Sequence, residues 1–237
     1  KAAFYYNKLE RNVTQAKFDL TSQVNYNHQL KGGLMLRRHE VNSFEQLTTV
    51  PIGYDEAFPF QQTDFSVNPK EYSAYLQDRI EYEGVIINAG MRLDGFDVAV
   101  DQFSDFFNPF TIDTLSTGQI ARTEVRDRDI DVKWFWQPRV GISHPVSENS
   151  AMYYSWGKFY SAPSFSTIYE NYGTFAQESL PSTPDVARNP SQATAYEMGL
   201  QYSFHPEYLL DVAAYYRDID NFGSQGYSVN PVTGGSS

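Results

Sequence analysis

Charged and amide side chains recur at every second position of otherwise apolar segments, and that spacing limits the chemistry open to them. From Val85 to Asp94, the residues Val85, Ile87, Ala89, Met91 and Leu93 alternate with Asn88, Gly90, Arg92 and Asp94. An extended chain points successive side chains to opposite faces, so guanidinium and carboxylate share a polar face backed by an apolar one. Arg139, and Glu197 with Gln201, hold the same parity in their own segments. Groups placed this way can line a substrate path, contact another domain, or pair with neighbouring strands inside a polar lumen. They are spaced to bind and not to make bonds. The sequence holds no GxGxxG, P-loop, GxSxG or HExxH, and no Ser/His/acid set converges. The expectation is a protein that is not an enzyme and uses no cofactor.

Other chemistry-bearing residues are weighed in the same way. His28, His144 and His205 sit at or beside three different short turns, too far apart to share one metal ion, and read as rim residues. The segment Asp101–Asp131 carries Asp101, Asp105, Asp113, Glu124, Asp127, Asp129 and Asp131 beside Arg122, Arg126 and Arg128. It lacks the ligand spacing of a calcium loop, and Arg126-Asp127-Arg128-Asp129 reads as a solvated, self-paired strand extension. Tyr160, Phe165, Tyr169, Tyr172 and Phe175 make an aromatic approach to a long loop. They could stack on sugars or an aromatic chelator, or simply pack the loop. Asp78 and Lys158 fall on apolar parity and are expected near the edges of an apolar band.

The elements that position these residues come in pairs. Thr14–Tyr26 and Leu30–Val41 flank Asn27-His28-Gln29; Glu71–Tyr82 and Gly84–Phe96 flank Glu83-Gly84. Val132–Val146 and Ala151–Ser161 flank Ser147-Glu148-Asn149, and Gln192–Phe204 and Tyr208–Ile219 flank His205-Pro206-Glu207. Ala2–Lys8 is a candidate ninth strand. The stretches 42–69, 97–130 and 162–191 read as long polar loops, all at one end of the four hairpins. Tight turns at one rim, long loops at the other and apolar faces of roughly 9–11 residues describe an all-β, antiparallel transmembrane barrel segment. It would have about 8–9 strands in hairpins, with short periplasmic turns and long extracellular loops. A soluble, aromatic-rich β-sandwich that binds carbohydrate is the alternative.

Composition agrees. Of 237 residues, 16% are aromatic, with 18 Tyr, 17 Phe and 3 Trp, which suits aromatic girdles at two lipid–water interfaces. No run approaches the roughly 18 apolar residues of a membrane helix. A formal charge of −11 argues against nucleic acid as a partner, and the absence of Cys excludes disulfides and thiol chemistry. The chain opens on strand-like residues at Lys1 and closes on Gly234-Gly235-Ser236-Ser237, as expected of a piece of something longer.

Several runs resemble TonB-dependent outer-membrane receptors: Tyr72–Tyr82, Ile87–Asp94, Gln137–Ser143, Tyr154–Ser164, Tyr196–Leu200 and Asp211–Ile219. Their order and spacing cover about Thr14 to Asn221. The resemblance implies that residues 1–237 are part of a roughly 22-stranded barrel with a plugged lumen, in the bacterial outer membrane. It implies energy-coupled uptake of a scarce ligand such as a siderophore, a glycan or a peptide. It also implies outer-membrane lipid, a plug domain of the same protein and TonB as partners. The chain carries no plug domain or recognisable TonB box. Within this reading, Arg92, Asp94, Arg139, Glu197, Tyr160 and Tyr169 are the candidate ligand or lumen residues.

Overall fold

The structure is a computed structural model that describes residues 2–50, 60–103, 110–114, 120–124, 126–162, 164–169, 174–176 and 189–220. The elements are β1 (Ala2–Gln23), β2 (His28–Val50), β3 (Phe60–Val67), β4 (Lys70–Tyr82), β5 (Val85–Asp97), β6 (Gln102–Phe103), β7 (Phe110–Thr114) and β8 (Ile120–Glu124). They continue with β9 (Arg126–Arg128), β10 (Lys133–Ser147), β11 (Ser150–Ser161), α1 (Phe165–Ile168), β12 (Thr174–Ala176), β13 (Ser191–His205) and β14 (Tyr208–Asp220). Ten strands form one antiparallel sheet ordered β12-β3-β2-β4-β5-β10-β11-β13-β14, with β1 on β2. Among the described residues the sheet does not close on itself.

The four expected hairpins are its frame: β1/β2, β4/β5, β10/β11 and β13/β14. The second turns on Glu83 and Gly84, both at positive φ (47° and 84°), the geometry a two-residue hairpin adopts to follow strand twist. Ala2–Lys8 is not a ninth strand. It belongs to β1, which pairs with β2 without a break from Ala2↔Val50 to Gln23↔Gln29.

The loops hold more structure than their composition suggests. Residues 42–50 extend β2, and β3 pairs beside them from Val41↔Val67 to Thr48↔Phe60. β4 takes the same edge of β2 lower down, so β3 and β4 form one strand broken at Asn68-Pro69, where Pro has no N–H for the ladder. These extensions rest on backbone pairing and carry polar residues on both faces, so hydrophobic alternation does not reveal them. Residues 97–130 contain two ribbons, β6/β9 and β7/β8, and α1 and β12 lie in the third loop.

The faces separate cleanly. Leu34, Leu36, Leu76, Met91, Trp136 and Val212 stand exposed on one side. Among the described residues no second sheet covers this side, so the alternative β-sandwich is not formed. A contiguous apolar surface of this extent marks a face that meets lipid or another apolar partner. Aromatic pairs fringe it: Tyr72–Trp134 (6.0 Å) and Tyr196–Tyr216 (6.1 Å) toward the loop end, Phe204–Tyr208 (5.8 Å) at the turn end. On the opposite, inner side, the buried residues Val41, Val67, Phe96, Val98, Ile168 and Tyr169 gather at the loop end, where α1 packs onto β2, β3 and β5.

Candidate functional site

Strand register builds a polar network on the inner face. Tyr75, Arg92 and Gln137 are consecutive partners across β4, β5 and β10, with Ser73, Asp94 and Phe135 in the next row. Arg92 Nε donates to both Asp94 carboxylate oxygens at 2.9 Å, and its Nη2 donates to Ser73 Oγ at 2.9 Å. Gln137 Nε2 donates to Asp94 Oδ2, while Gln137 Oε1 accepts from Arg139 Nη2 and from the Tyr160 backbone N–H, each at 3.3 Å. The Arg139 guanidinium lies 4.6 Å from the centre of the Phe159 ring, a cation–π contact.

Of the sequence candidates, Arg92, Asp94 and Arg139 are therefore joined, through Gln137. Glu197 sits two strands away, opposite Ser155 and Tyr215, on the same concave surface of about 940 Å³. Tyr160 stacks on Phe135 at 4.1 Å, and its buried phenol oxygen has no hydrogen-bond partner among the described residues. Tyr169 lies elsewhere: it is 2% exposed and its phenol donates to Val98 O at 2.6 Å, so it anchors its loop. Tyr172 falls outside the described residues. Asp78 lies near the turn end, where His28 Nδ1 is 2.7 Å from its Oδ2. Lys158 lies toward the loop end of β11, two positions past Trp156.

Sequence reasoning passes over two hubs. Gln137, only 3% exposed, shares the parity of Arg139, so its inward position was legible, though its role as a bridge was not. His39, fully buried, sits where the outward positions of β2 turn polar at Arg38, Glu40 and Asn42, above the apolar band. Arg11 Nη2 donates to His39 Nδ1 at 3.1 Å, and His39 Nε2 donates to Glu71 Oε1 at 2.8 Å. Arg37 Nη1 holds the other Glu71 oxygen at 2.8 Å. Phe165 of α1 closes the group, edge-on to His39 at 4.8 Å and beneath the Arg11 guanidinium at 4.7 Å. Burial pushes the His39 pKa below 6.5, against the pull of the Glu71 hydrogen bond. A basin of about 580 Å³ opens beside this cluster, lined by Asn7, Arg11, Ser43, Glu45, Thr63 and Phe165 among others. Among the described residues no cluster of His and carboxylate side chains could hold a metal ion.

Two of the solved structures similar to this chain are transporters. The copper transporter OprC aligns at 15% identity and a TM-score of 0.61, over 92% of this chain and 31% of its own. The ferric citrate transporter FecA, in its unliganded form, aligns at 12% identity and a TM-score of 0.56, over 98% of this chain and 30% of its own. The chain spans less than a third of either. No curated protein matches it in sequence. A family model, TonB dependent receptor-like, beta-barrel, matches residues 2–236; the chain belongs to that family, whose members are bacterial outer-membrane proteins.

Proposed function

We propose that this chain is a wall segment of a receptor that takes up a scarce ligand across the outer membrane by TonB-coupled transport. The ligand would be a siderophore, a glycan or a peptide. The observation that carries the reading is the division of one sheet into an exposed apolar face and a cross-linked polar face. Such a wall excludes lipid on one side and supports a plug or solute path on the other. A plug domain of the same protein would sit against Arg92, Asp94, Arg139 and Glu197, and the loop-end basin would take part in capture.

Permeation through the full-length receptor in proteoliposomes tests this. With the plug in place the vesicles should stay closed to small sugars, and growth on one ligand of a siderophore, glycan and oligopeptide panel should require both receptor and TonB. Free permeation without energy would identify a passive pore and overturn the reading.

A further inference from the structure

The described residues after β11 do not stand clear of the sheet. Ile168 and Tyr169 are buried at 1% and 2% exposure, and Phe165 sits on a pair of side chains whose hydrogen bonds fix a protonation state. Arg11 can only donate, so His39 Nδ1 must accept and carries no proton. Glu71 can only accept when ionised, so His39 Nε2 carries the hydrogen. The imidazole is neutral, with both nitrogens engaged.

We propose that His39 is a proton-operated latch, holding α1 and Tyr169 against the inner wall when neutral and freeing them when protonated. A proton at Nδ1 would occupy the position where Arg11 now donates and set two cationic groups about 3 Å apart. The charged groups facing the ring are Arg11 from β1, Arg37 on β2 itself and Glu71 from β4. Among the described residues, α1 and β5 bring the uncharged Phe165, Ile168 and Phe96 to this cluster. Two guanidiniums against one carboxylate leave excess positive charge, so the added proton is repelled. Displacing Arg11 removes the cation from the Phe165 ring and with it a side of the α1 seat. The sign follows from burial, which lowers the His39 pKa in the latched form. Latched protein thus binds fewer protons than unlatched protein, and the latch weakens as pH falls below about 6.5. This inference rests on the contact between loop and wall and does not require the transport reading.

Amide hydrogen exchange of the full-length receptor in outer-membrane vesicles tests it, with rates corrected for the intrinsic effect of pH. Between about pH 7.5 and about pH 5, protection of the Ile168 and Tyr169 amides should fall on the order of tenfold, while the Glu83-Gly84 turn stays unchanged. His39→Gln keeps an acceptor and a donor without a titrating ring and should remain protected at both pH values. Equal protection of the wild type at both, or the same acid loss in His39→Gln, overturns the latch. If His39→Gln does not fold, Arg11→Met removes the opposing charge and should shrink the acid effect; an undiminished effect is equally fatal.

Discussion

Gln137 is a neutral side chain between charged ones on the inner face, and its two ends satisfy opposite demands: its amide nitrogen serves Asp94, its oxygen Arg139 and a backbone N–H. Gln137→Leu would leave these partners unmatched at a site 3% exposed, at a cost of roughly 1–3 kcal/mol. Urea titration of the refolded receptor should show the loss as a lower midpoint, whereas Gln137→Glu should shift the midpoint in a pH-dependent way. Two glycines carry a second residue-scale device. A Cβ on Gly33 would come within 2.5 Å of Asp19 Oδ1 and 2.6 Å of the Tyr75 ring, because Tyr75 crosses β2 there to donate to Asp19 at 2.7 Å. Tyr153 crosses Gly199 in the same fashion toward Asp211, 3.5 Å away. Gly33→Ala should therefore cost about 1–3 kcal/mol through overpacking, and Tyr75→Ala in the same chain should recover only part of it, because the Phe18 carbonyl oxygen also lies 2.8 Å from the added Cβ. The glycines were visible in the sequence as polar-parity positions. Their partners were not, because a ring on the paired strand has no fixed sequence offset.

At the scale of elements, position along a strand sets the energetic role of its outward residues. Leu34 of β2 lies well inside the apolar band and Tyr208 at the turn end of β14. Leu34→Lys should cost about 2–4 kcal/mol, and Tyr208→Lys about 0–1, in denaturant titrations from lipid vesicles. The reverse finding would mean that the outward face does not meet hydrocarbon. Above the band, β1 and β2 continue with polar residues on both faces, held by the ladder and by a few side-chain contacts such as Asn7–Glu45 and Tyr6–Phe44. Their amides near Asn7 and Glu45 should exchange faster than those near Phe18 and Leu34, which hydrogen exchange by mass spectrometry can resolve. The four hairpins were legible because apolar alternation and tight turns act over a few residues. The extensions of β2, with β3 beside them, were not, because partner strands stabilise them and periodicity carries no trace of partners.

At the scale of the molecule, and among the described residues, the sheet has open edges at β1, which pairs only with β2, and at β14, which pairs only with β13. Unpaired N–H and C=O groups along such strands recruit further strands, so residues 1–237 alone in detergent should associate edge to edge. Light scattering would detect this as mixed oligomers, against a monomer for the full receptor; a stable monomer of the fragment would mean that its edges close. The sequence by itself determined the strands within the apolar band, their faces, the short turns and the parity of Arg92, Asp94, Arg139 and Glu197. Those follow from the two-residue period of an extended chain in contact with an apolar medium. Only the tertiary structure decided that Gln137 bridges three strands, that Tyr169 is buried and anchors a loop, and that His39 is buried beneath Phe165. Each depends on segments far apart in sequence meeting at one level of the wall, and register and loop packing alone set that level.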